Sequence, residues 1–121
     1  MFAVIYQGYV KSGKEEEYKQ AWHKVASYFL ERRGAIGSCL HRTKDGLWVA
    51  YSRWPNQSTR DSSWPGNDTP TSELPTDVRQ AIITIQTCLD QERNDNESIV
   101  RETCLEVVED LLLPNREGSI K

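Results

Sequence analysis

The sequence predicts an α+β domain with the element order β-α-β-β-α-β. Three observations point there: two stretches of helical apolar period, runs of β-branched and aromatic residues around them, and an Asp-Gly pair between two such runs. Residues 2–10 hold Phe2, Val4, Ile5, Tyr6, Tyr9 and Val10, which suits a strand covered on both faces. Ser12-Gly13-Lys14-Glu15 then has the spacing of a capping box, so a helix is expected to start there. Tyr18, Ala21, Trp22, Val25, Tyr28 and Phe29 recur at steps of three and four and form its core stripe, with Gly34 and Gly37 ending it. On that stripe Trp22 reads as core, with a substrate wall as the other role open to it.

Residues 36–42 and 46–54 read as the second and third strands, joined through Thr43-Lys44-Asp45-Gly46. In the third, Leu47, Val49 and Tyr51 face one way and Trp48, Ala50, Ser52 and Trp54 the other, because side chains alternate across a strand. Residues 55–75 are rich in Pro, Ser, Thr, Asn, Asp and Gly and read as a long loop with one helical turn near 58–63. A second amphipathic helix is expected over 76–92, with Val78, Ala81, Ile82, Ile85, Cys88 and Leu89 on its stripe, fading into a polar turn over 91–96. A fourth strand is expected over 103–113, and 97–102 could form a helical turn leading into it.

This order is the split βαβ, or ferredoxin-like, motif: one four-stranded antiparallel sheet with two helices on one face. The domain spans residues 1–113, and 114–121 form a C-terminal tail with too little apolar surface to order itself. Apolar residues on both faces of the strands conflict with a solvated sheet face. A second copy is the natural cover, so a homodimer is expected.

The whole chain has 121 residues and a formal charge of -3, from 15 Lys plus Arg against 18 Asp plus Glu. No net positive field would gather nucleic acid or an anionic membrane, and no nucleic-acid or membrane partner is expected. No apolar run approaches the ~20 residues that cross a bilayer, and residues 1–10 lack the basic start of a signal peptide. Cys39, Cys88 and Cys104 are an odd number without a CxxC pair, which reads as three reduced thiols in a cytoplasmic protein. The scattered histidines and cysteines offer no metal cluster, and no GxGxxG or P-loop appears.

Several segments carry a resemblance. They are Phe2-Ala3-Val4-Ile5-Tyr6, the run from Val10 to Tyr18 with Trp22, Arg32-Arg33-Gly34-Ala35-Ile36-Gly37-Ser38 with Leu40-His41-Arg42, Trp48-Val49-Ala50-Tyr51, Trp54-Pro55, and the run from Leu105 to Leu112. Together they are similar to the antibiotic biosynthesis monooxygenase (ABM) family over about residues 2–112. The resemblance implies a dimeric α+β barrel in which each subunit has a pocket between its sheet and its helices. It implies a monooxygenase, an oxidoreductase that oxidises a small aromatic or quinol-like substrate without metal or flavin, so no cofactor is expected. A non-catalytic dimer that binds a small molecule, or regulates, is the other reading the same fold permits. The family's haem degraders resemble a polar amide on the first strand, a Trp after the third strand and an axial His on the second helix. Gln7 and Trp64 could stand for the first two, but residues 76–92 contain no histidine, which disfavours haem.

His41 reads first as a partly exposed strand-end residue at a dimer rim, with a general base or orienting donor as the functional role open to it, since an imidazole titrates near neutral pH. Gln7 is a second candidate for the catalytic centre. Tyr6, Tyr51, Arg53 and Trp64 are candidates for substrate binding, although strand alternation cannot place all the strand residues inside one cavity. The expected pocket is bordered by the first and third strands and closed by the loop that carries Trp64.

Overall fold

A computed structural model describes residues 1–63, 74–94 and 101–112. The order is β1 (Phe2–Tyr9), α1 (Glu15–Arg32), β2 (Gly37–Arg42), β3 (Leu47–Trp54), α2 (Gln57–Ser63), α3 (Thr76–Cys88) and β4 (Arg101–Glu106). The strands form one sheet in the order β2-β3-β1-β4, antiparallel throughout. This is the expected ferredoxin-like topology, with the short helix α2 added.

Register assigns every strand residue to a face. Phe2 pairs with Trp54 and Glu106, Val4 with Ser52 and Cys104, and Tyr6 with Ala50 and Glu102. Those rows face α1 and α3, where Phe2, Val4, Ala21, Val25, Phe29, Trp54, Leu74, Val78 and Ala81 form the main core. A second cluster of Val10, Tyr18, Trp48, Cys88 and Leu89 continues it. Trp48 meets Tyr18 edge to face at 5.3 Å, and Trp54 meets Phe29 at 6.2 Å, so both indoles of β3 pack against α1. Burial pushes the Tyr18 phenol up to about 12.

The hairpin between β2 and β3 closes at Gly46, whose φ of +95° is the left-handed region only glycine enters without cost. Thr43 accepts the Gly46 amide at its carbonyl and the Leu47 amide at its hydroxyl. Gly34, with φ +86°, ends α1 in the same way.

Four expectations change. Ser12 does not cap α1: Gly13, with φ +87°, turns the chain so that the helix starts at Glu15 behind Lys14, and the Glu15 carboxylate accepts the Gly13 amide instead. α3 stops at Cys88, because Leu89 turns extended and bridges to Val10. β4 runs from Arg101 to Glu106, and just past it Val107 donates to the carbonyl of Met1. Trp22 is half-buried and lies outside both core clusters. The tail 114–121 lies outside the described residues.

Candidate functional site

The helix-facing row of Tyr6 and Glu102 carries the polar chemistry of the inter-layer space. Arg60 reaches it from α2. The position of α2 follows from local bonds at both ends: Asn56 accepts the Thr59 amide at 2.8 Å as a side-chain N-cap. At the other end the Arg33 guanidinium donates to the Ser63 carbonyl, and the Ser63 hydroxyl donates to the Arg33 carbonyl, tying α2 to the end of α1.

Arg60 is the buried charged side chain among the described residues, 8% exposed. Its Nη2 donates to the Tyr6 hydroxyl at 3.0 Å and to the Glu102 carboxylate at 2.7 Å. Asp61 lies 3.7 Å from Nη1. Burial pushes the Tyr6 phenol up, with Arg60 pulling the other way. Burial alone would lower the Arg60 guanidinium, but Tyr6 and Glu102 outweigh it and the net shift is upward. Cys104, two residues on from Glu102, donates to that carboxylate at 3.7 Å; its residue is exposed overall, but partial desolvation of the sulfur and the neighbouring charge raise its thiol. Glu102 differs from Arg60 in being 39% exposed. A sealed cation thus faces a carboxylate with access to water, and between them they can polarise a hydroxyl and accept its proton.

The structure separates the residues singled out from sequence. Of the strand candidates Gln7, Tyr6, His41, Tyr51 and Arg53, Tyr6 alone lies on the helix side. Gln7 pairs with Val49 and Val49 with His41, so Gln7 and His41 share one row of the opposite, outer face. Tyr51 and Arg53 occupy that outer face too, opposite Ile5 and Ala3. Arg53 donates to the Tyr51 hydroxyl at 2.9 Å and to Asp110, clasping the segment after β4 onto the sheet. His41 is exposed, and its Nδ1–H donates to the Val49 carbonyl at 3.1 Å. Trp64 lies outside the described residues.

Trp22 and His23 line an open groove of about 800 Å³ between α1 and the outer edge of β2, with Leu40, His41, Arg42 and Trp48 opposite. Trp22 therefore walls a groove at the sheet edge and is not core. Cys39 and Cys104 are both exposed and sit on opposite edge strands, so they do not meet. Among the described residues no group of His, Cys, Asp and Glu could hold a metal ion, and no helix is long and apolar enough to cross a membrane.

Sequence reasoning missed Arg60 and Glu102. Arg60 had one signal: it is the only cation in the polar stretch 55–75, inside the expected helical turn near 58–63. Glu102 had none, because residues 97–102 suit a helical turn as well as a strand.

No protein-family model and no curated protein matches the chain. Solved structures do. The chain is similar to SnoaB, a cofactor-independent oxygenase from Streptomyces nogalater, at 11% identity and a TM-score of 0.65, covering 92% of this chain and 96% of that one. A structure described as an antibiotic biosynthesis monooxygenase matches at 13% identity and 0.64, over 90% of this chain and 100% of the other. A conserved protein from Methanosarcina mazei Go1 matches at 13% and 0.63, over 87% and 90%. The chain has the fold of the ABM structures.

Proposed function

We propose that this protein is a cofactor-independent monooxygenase of a small, electron-rich aromatic or quinol-like substrate, bound on the helix side of the sheet. The observation that carries this is the sealed Arg60 cation held between the Tyr6 phenol and the half-exposed Glu102 carboxylate. Chemistry without metal or flavin requires the substrate itself to reduce oxygen, and an aromatic does so readily only after losing a proton. Glu102 accepts that proton, and Arg60 and Tyr6 supply a preorganised field for the resulting anion. The anion passes an electron to O₂, and the two radicals join in a carbon–oxygen bond. Loss of water from the hydroperoxide then leaves a carbonyl: a CH₂ carbon and O₂ become C=O and H₂O. One oxygen atom ends in the product and the other in water.

Anthrone-type and naphthol-type substrates, oxidised in buffer under ¹⁸O₂, test this. One labelled oxygen per product and one O₂ consumed per turnover are expected, with no effect of chelators. Absence of protein-dependent O₂ uptake across such a panel would overturn it.

The unit is proposed to be a homodimer joined through the outer sheet faces. Ile5, Tyr9, Leu47, Val49, Tyr51 and Leu105 share that face and are only half-buried in the single chain. Sedimentation is expected to give twice the 13.9 kDa chain mass at micromolar concentration. Val49→Lys, which places an ammonium at the centre of the face, is expected to weaken association at least ~100-fold. A monomeric wild type would remove the interface.

A further inference from the structure

We infer that Arg60 exchanges partners during binding, releasing Glu102 and taking the substrate as an oxyanion, so the site selects aromatics with an acidic hydroxyl. This rests on the proposed location of the substrate site beside Tyr6. The asymmetry of the pair is the reason. Arg60 is 9% exposed at its side chain and is held by Tyr6, whereas Glu102 is 39% exposed on an edge strand and can turn to water. A buried guanidinium keeps its charge at every accessible pH and must retain an anion nearby. When a phenol or enol gives its proton to Glu102, the neutral acid holds Arg60 weakly and the new oxyanion replaces it. Arg60 exchanges one anion for another, and no net charge enters the site. Among the described residues, Tyr6 on β1, Asp61 on α2 and Cys104 on β4 are the other titratable groups around the guanidinium. Tyr6 and Cys104 are both held towards their neutral forms, and Asp61 is 56% exposed, so none of them replaces Glu102 as the exchanged anion.

Binding of 4-nitrophenol, whose anion alone absorbs strongly near 400 nm, tests this without turnover. At a pH where the free probe is mostly neutral, the wild-type protein is expected to bind it with growth of the anion band. The methyl ether, 4-nitroanisole, is expected to bind roughly 10-fold or more weakly, because it offers the guanidinium no charge. Arg60→Gln is expected to abolish the band and to weaken nitrophenol binding roughly 10- to 100-fold, and Arg60→Lys to keep part of both. Glu102→Gln, which removes the competing carboxylate, is expected to tighten anion binding several-fold. A merely structural role for the ion pair predicts loss of binding in both Arg60→Gln and Glu102→Gln. Equal binding of nitrophenol and nitroanisole without an anion band would overturn the exchange while leaving an aromatic site intact. Binding of neither probe would overturn both.

Discussion

Glu102→Gln is expected to lower kcat for an oxidisable quinol by about 10²- to 10³-fold without raising KM, the range that removal of a positioned general base produces. The carboxamide keeps the size of the side chain and can still accept from Arg60, but it cannot hold a proton. A substrate that binds neutral then has no base in the site, so the loss is read at a pH well below the substrate's own pKa, where little of it arrives already ionised. A fall in kcat with unchanged or lower KM separates this role from substrate anchoring, which would raise KM. The fold should tolerate the change. With Glu102 39% exposed, water screens the Glu102–Arg60 pair and the stability difference is expected to stay within about 1 kcal/mol. Oxygen uptake under saturating substrate provides the measurement, and turnover within threefold of wild type would remove Glu102 from the chemistry.

Phe29→Ala is expected to have the largest effect on stability, about 3–5 kcal/mol. Phe29 is 4% exposed, meets Trp54 and Tyr28 edge to face, and lies in the cluster that joins α1 to β1, β3 and α3. Removing the ring leaves a cavity bounded by rigid aromatics that cannot collapse into it. A domain of ordinary stability has about 5–15 kcal/mol in all, so the variant should be close to unfolding at room temperature. The urea midpoint should fall sharply with an unchanged slope. Leu30→Ala, one residue on and 39% exposed, is the matched control and should cost less than about 1 kcal/mol. Comparable losses in the two variants would show that the aromatic cluster is not the support of this core.

The same contrast explains how far the residues could be read in order. Trp48 and Trp54 stand six positions apart on a strand, so alternation alone puts them on one face, where the structure finds both buried. Cys88 and Val78 on one helical stripe were equally legible, and both are buried. Trp22 broke the pattern because it lies at the margin of its stripe, where the sheet ends at β2 and leaves it half-buried on an open groove. Its periodicity places it on a face without saying how wide the partner layer is. Ser12 broke it for another reason: a capping box describes spacing, and a glycine in the left-handed region inside that spacing moved the N-cap two residues on, to Lys14.

The candidate site was less legible for a deeper physical reason. Element order, the hairpin at Gly46 and the apolar stripes follow from interactions among residues a few positions apart, and these are written locally in the chain. Alternation likewise separates Tyr6 from Gln7, and Tyr51 and Arg53 from Trp54. It does not say which face the helices will cover. That choice is made when α1 and α3 land on the Phe2–Val4–Tyr6 side, and it leaves Gln7, His41, Tyr51 and Arg53 on the other. Arg60 meets Tyr6 across 54 residues and Glu102 across 42. Those meetings require the β1–β4 register and the docking of α2 against the end of α1, and both exist only once the core has assembled. The sequence therefore specified the scaffold, through short-range periodicity and turn chemistry, whereas packing and strand register placed a buried cation beside a carboxylate that water can reach.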